Sequence, residues 1–299
     1  MGILLAILIV RGAVPAGDGP ATTSAPAPLE AMGRFDARAI PEASGIVKSR
    51  RYPGIFWVHN DSGNAPLLFA VRGDGRVVRR FRLSVPNLDW EDIAIDDRGH
   101  LYLGDIGNNS VLLRFRTVYQ LDEPDPTKPE GGEGEAPLPV IRTVPYALPQ
   151  SNRFDAEGLF QEGGEFTVIA KYLDGREAEL FAMPLESKAA RKVVMPRSAG
   201  RLPGFVEPAT GADLSEDGTL LAVCSYAVTR VYRRAGRPEA PSWAPAAEVR
   251  YAALPVEGIA WDGRDLVLAA EEARGLFRLR EAVWRAAAPK GERIQLKAP

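Results

Sequence analysis

The sequence predicts an all-β chain closed into a five-bladed β-propeller. Three observations predict it. A short motif recurs five times; each copy opens the same series of apolar strands and turns; and Gly (29) and Pro (25) are plentiful among 299 residues, as many short strands joined by tight turns require. The motif is a small or acidic residue, then Gly or Asp, then Ile or Leu. It occurs as Ser44-Gly45-Ile46, Glu91-Asp92-Ile93, Glu157-Gly158-Leu159, Ala212-Asp213-Leu214 and Glu257-Gly258-Ile259. Its middle residues are spaced by 47, 66, 55 and 45, and β-rich repeats of about 40–50 residues are propeller blades.

In chain order, residues 3–10 (ILLAILIV) are too short an apolar run to span a membrane as a helix. With Ala13, Pro15 and Ala16 behind them they fit a secretory signal peptide over 1–16. No Lys or Arg precedes the run, and the other reading is a buried N-terminal strand. Residues 17–34 carry a Pro-, Ala- and Thr-rich stretch, which predicts a disordered lead-in. No Cys stands near the cleavage region for a lipid anchor, so the expected product is a soluble monomer, exported to the periplasm or the extracellular space, with no stable insertion in a membrane.

The domain then runs from 35 to 299, and FDARAIP at 35–41 is expected to be the N-terminal strand that completes the last blade and closes the ring. Each motif is followed by a turn, such as Asp217-Gly218 or Asp262-Gly263, and by an apolar strand: IFWVH, LYLG, FTVIA, LLAVC and LVLAA. A third strand alternates, as in VLLRFR and GLFRLR, the pattern of a half-buried strand. An outer strand follows, as in RVVRRFRL at 76–83. The long interval of 66 comes from residues 122–139, which hold six acids, one lysine and five prolines. They predict a disordered acidic insertion. A sixth blade within 120–150 is the alternative count, and the prolines oppose it. A helix is conceivable only at 280–287.

Charge and composition exclude several functions. Lys plus Arg total 37 against 39 Asp plus Glu, without the basic excess of a nucleic-acid binder. One cysteine and two histidines leave no disulfide framework and no zinc site of the Cys or His type.

Propeller geometry places the start of a blade's first strand and the end of its second on one face, at the channel mouth. The residues before the motif centres include Glu91, Glu157 and Glu257. Counting 13 residues on from the centres gives Asp105, Lys171, Tyr226 and Glu271, and the longer first turn shifts the first blade's slot to Asn60 and Asp61. Crowded carboxylates repel one another unless a cation offsets them, and calcium takes several oxygens in loose geometry. Glu91, Asp105, Glu157, Glu257 and Glu271 are therefore the expected ligands of a divalent cation, calcium, with Asn60, Asp61, Lys171 and Tyr226 facing a small ligand. The other role open to each acid is to accept a backbone N–H of the next blade and hold the ring together.

DWEDIA (89–94), GDIGNN (104–109), FDAEGL (154–159) and VEGIAW (256–261) resemble the SdiA-regulated and phytase-like (esterase-like) groups of secreted bacterial propellers, over about residues 36–280. The resemblance implies calcium binding. The Asp-Asp-Pro signature of the phytases is absent; the nearest stretch is Asn60-Asp61-Ser62-Gly63. VEGIAW is also similar to the Glu-Gly-Pro-x-Trp element of calcium-dependent lactonases, with Ile259 in place of Pro. Two functions follow as expectations: a propeller that binds a cation and a small ligand, or a calcium-dependent hydrolase (esterase, lactonase or phosphoesterase) on the same face. A Ser–His–acid triad is not expected, because His59, Asp61 and Ser62 share one stretch and no Gly-x-Ser-x-Gly elbow occurs. Cys224 sits in an apolar strand and is expected to be buried and inert.

Overall fold

A computed structural model describes residues 28–128, 136–148, 154–185, 193–237, 240–252, 254–271 and 274–287. The fold is a five-bladed β-propeller, each blade a four-stranded antiparallel sheet. Strand β1 (Glu30–Arg34) comes first. The first blade is β2 (Ala43–Lys48), β3 (Ile55–Asn60), β4 (Leu67–Arg72) and β5 (Val77–Arg82). The second is β6 (Trp90–Ile95), β7 (His100–Asp105), β8 (Phe115–Asp122) and β9 (Arg142–Ala147), and the third β10 (Asp155–Glu162), β11 (Glu165–Lys171), β12 (Glu179–Pro184) and β13 (Arg197–Arg201). The fourth is β14 (Gly211–Leu214), β15 (Leu220–Ser225), β16 (Val228–Arg237) and β17 (Ala240–Arg250). In the fifth, β18 (Val256–Asp262), β19 (Asp265–Ala270) and β20 (Gly275–Leu279) are completed by β1, which pairs with β20. A short helix, α1 (Glu281–Ala286), follows and buries Trp284 edge-on against Trp261, with ring centroids 5.9 Å apart.

An N-terminal strand thus closes the ring, but it is 30–34 and not 35–41. Asp36 turns the chain after β1. Its carbonyl accepts the N–H groups of Ala39 (3.0 Å) and Ile40 (2.8 Å), and its carboxylate that of Arg38 (2.9 Å). That turn leads into β2 and leaves no extended segment for the sheet. Of the expected lead-in, 17–27 lie outside the described residues, while 28–34 hold buried Leu29 and β1 itself.

The acidic stretch at 122–139 is packed at both ends. Buried Glu123 accepts Trp57 Nε1–H at 2.7 Å and the Ser49 hydroxyl. Leu138 bridges to Leu83, donating to Arg82 O (2.7 Å) and accepting Ser84 N–H (3.0 Å). The sequence hides this because a composition window averages the two anchored ends with the polar middle. Residues 129–135 lie outside the described part, as does the apolar run at 3–10.

The motif centres are the joints of the ring. Asp92, fully buried, accepts Leu159 N–H (2.8 Å) and Ala212 N–H (3.0 Å) on one oxygen and its neighbour Ile93 N–H (2.9 Å) on the other. One carboxylate thereby ties blades two, three and four. Burial pushes its pKa well above the usual range, with those three N–H groups pulling the other way. Asp213 accepts Trp261 N–H at 2.8 Å and joins blades four and five. Two of the Gly centres serve by having no side chain: a Cβ at Gly258 would stand 2.4 Å from Ser44 O, and one at Gly45 would stand 2.8 Å from Asp92 Cα. Adjacent inner strands therefore approach to backbone contact.

Candidate functional site

In the second, third and fifth blades a β-bulge interrupts the pairing of the first two strands at the glutamate of the motif. The register shifts between Trp90 and Asp92, between Ala156 and Gly158, and between Val256 and Gly258. A bulge re-aims a side chain. Here it lets the motif centre face the neighbouring blade while Glu91, Glu157 and Glu257 are presented at the mouth. The two roles weighed for the acids are divided between consecutive residues: Asp92 and Asp213 latch the blades, and the bulged glutamates face the site.

Glu91 converges with Asp61 and with Asp89, which lies one residue before β6. One carboxylate oxygen from each lies within 4.8 Å of those of the other two. Two oxygens bound to one calcium at about 2.4 Å can be no more than about 4.8 Å apart, so these three fit a shared cation. Two further observations bear on the fit. Gly107 leaves the space over the cluster open, since a Cβ there would lie 2.1 Å from Glu91 Oε1 and 2.6 Å from Asp89 Cγ. Arg116, 5% exposed, approaches Asp89 Oδ2 to 3.6 Å through Nη2, an atom with no hydrogen-bond partner among the described residues.

Electrostatics describe the same convergence. Burial raises the Glu91 carboxyl well above its ordinary value, and the charges of Glu157, Asp61 and Asp89 add to it. Asp61 and Asp89 are also raised, chiefly by burial. Glu257 is pushed up to about 8, by burial first and then by Glu157, Glu271 and Asp61, against Lys171. Glu157 is pushed up to about 7 by burial, with Lys171 opposing. Lys171 forms an ion pair with Glu157 and lies over the Tyr226 ring, 5.5 Å from its centroid. Burial works against the Lys171 charge, but Glu157 outweighs it and its pKa lies above the ordinary value.

The expected site residues thus separate. Asp61, Glu91, Glu157, Lys171, Tyr226, Glu257 and Glu271 form one connected electrostatic group at the mouth. Within it Glu157 is matched by the Lys171 ammonium. Asp105 serves as support: its Oδ1 accepts Asp89 N–H at 2.9 Å, and Tyr119 OH donates to its Oδ2 at 3.4 Å. Asn60 does not face a ligand. It is buried, its amide donating to Ala39 O (3.0 Å) and accepting Glu42 N–H (3.3 Å). Its slot at a strand end was legible; the direction of its side chain was not. Asp89 was missed because counting from the motif centre begins three residues after it. The signal was present in DWEDIA, where an acid stands on each side of the tryptophan. Asn87 fixes this corner, donating to Asn60 O (3.1 Å) and Asp61 O (2.8 Å) and accepting Trp90 N–H (3.1 Å).

No protein-family model and no curated protein matches the chain. Among solved structures it is similar to a gluconolactonase from Xanthomonas campestris, with 12% identity and a TM-score of 0.45, over 84% of this chain and 88% of that one. The SdiA-regulated and phytase-like resemblance finds no further support in these comparisons.

Proposed function

We propose that this propeller binds a divalent cation, calcium, at the mouth of its channel, and a small ligand beside it. The observation that carries this reading is the mutual approach of Asp61, Asp89 and Glu91 to within 4.8 Å, in a place where burial disfavours three unaccompanied negative charges. Asp105 and Arg116 hold Asp89 in position. Glu157 is already paired, and Glu257 with Glu271 forms the second acidic wall. Residues 3–10 support export as part of the same proposal.

A second reading, a calcium-dependent hydrolase, is favoured by Glu257. Its pKa near 8 suits a group that takes a proton from water close to neutral pH. The cation, when bound, would polarise a carbonyl or phosphoryl oxygen; Glu257 would hold the proton, and Lys171 would stay paired with Glu157 beside it.

The test is metal content of the purified protein, followed by melting with calcium and with chelator. A cation that binds only the folded state raises Tm by mass action. The D61N/E91Q variant should lose that increment. Equal melting temperatures with and without calcium would overturn the cation reading. Ester, lactone and phosphoester substrates, each with and without chelator, then separate binding from hydrolysis: turnover that chelator abolishes selects the hydrolase.

A further inference from the structure

Twelve large apolar side chains are exposed among the described residues, and eight of them lie on the face that carries the acidic mouth. This is the face of the loops that follow second strands and precede first strands. Two of them stand next to site residues in the chain. Leu88, 66% exposed, precedes Asp89; Leu173, 82% exposed, lies two residues after Lys171.

The loop between β7 and β8 makes the closest connection. It begins on the acidic cluster, where Ile106 and Gly107 donate their N–H groups to Asp89 O at 3.1 and 3.2 Å. It then presents Leu112 and Leu113, 71% and 51% exposed. The loop is clamped. Asn108 donates its backbone N–H to Asp155 Oδ1 (2.5 Å), donates its amide to Leu113 O (3.0 Å) and accepts Leu113 N–H (3.0 Å). Val111 is held at φ 49°, a conformation that a β-branched residue adopts only under constraint. A fixed loop that presents leucines to water beside a charged centre leaves apolar area exposed at a cost in free energy, and such patches mark binding surfaces.

We infer that the site takes an amphiphile: a carbonyl- or carboxyl-bearing head at the carboxylate cluster, with a linear hydrocarbon tail running over Leu88, Leu112 and Leu113. The inference rests on the cation reading, because a negative or carbonyl head meets these carboxylates only through a metal.

The experiment is calorimetric titration of the calcium-loaded full chain with acetate, hexanoate and decanoate. Each fully buried methylene strengthens binding about fourfold. Four methylenes half covered by the rim therefore give decanoate more than about tenfold over hexanoate. The L112S/L113S variant should flatten the series and leave calcium affinity unchanged. A flat series in the calcium-loaded wild type overturns the tail subsite and leaves the cation reading standing. Failure to bind calcium overturns the cation reading. The rim is then tested with tetramethylammonium and decyltrimethylammonium, whose positive heads carboxylates hold directly: chain-length dependence lost in L112S/L113S supports the tail subsite, and its absence overturns it. A flat series combined with leucine-dependent sedimentation on neutral phosphatidylcholine vesicles would make the loop a membrane contact and overturn the amphiphile.

Discussion

Removing the Asp92 carboxylate should damage the ring more than any other single polar truncation on its axis. Asp92→Ala leaves the N–H groups of Leu159, Ala212 and Ile93 without their carboxylate acceptor, 2.8, 3.0 and 2.9 Å from where the oxygens stood, at a position closed to water. Each buried, unpaired N–H costs about 1–3 kcal/mol, so the loss is about 3–9 kcal/mol. For a domain of this size each kcal/mol lowers Tm by about 2–4 °C, so the melting point should fall by at least about 6 °C. Asp92→Asn keeps one carbonyl oxygen, which can serve both cross-blade donors, but its NH2 then meets Ile93 N–H. It should lose about 1–3 kcal/mol, roughly a third of the effect of alanine. Urea unfolding of both variants, with the slope compared to wild type, measures these numbers. If alanine costs under about 1 kcal/mol, or asparagine costs as much as alanine, backbone acceptance by Asp92 is not what joins the blades.

Gly107→Ala should fold and yet lose calcium, because its new methyl displaces the flexible Glu91 head and presses on Asp89; circular dichroism and a calcium titration read the two effects separately. Gly258→Ala should instead prevent soluble folding, since its Cβ meets the backbone oxygen of Ser44 across the ring. Without calcium, stability should fall as pH rises. An acid whose pKa climbs from 4.5 to about 8 on folding, as Glu257 does, favours the fold fully below pH 4.5 and loses that contribution by pH 8. E257Q should shrink this fall, seen in urea midpoints between pH 4.5 and 8, and an unchanged profile would discount the burial of Glu257. Glu123→Ala should destabilise by roughly 1–3 kcal/mol by orphaning the Trp57 indole N–H; a wild-type urea midpoint would show the anchored end of the acidic segment to be dispensable.

The blade count was legible because the motif centre has a job that only two residue types do. Gly45 and Gly258 permit backbone contact between blades, and Asp92 and Asp213 accept a neighbour's N–H, so the slot is marked by Gly or Asp. The glutamates were legible by position, and the bulge that separates their role from that of the centre was not, because pairing register is not written in residue type. Asn60 and Asp61 show the limit most plainly. They are adjacent and equally polar, yet one is consumed by Ala39 and Glu42 and the other faces Glu91. Alternation along a strand could have separated them; chemistry alone could not. The first strand was misplaced by five residues because GRFDARAIP has no alternating pattern strong enough to set its pairing.

The pairing of β1 with β20 joins Glu30 to Arg278, residues 248 apart in the chain. A ribosome makes β1 before any blade and its partner after all the others. The first strand must therefore wait with an open hydrogen-bonding edge for almost the whole of synthesis. Such an edge invites pairing with another chain, and long-range pairings of this kind form slowly. A chain interrupted between residues 250 and 275 would carry four complete sheets and a ring with no clasp.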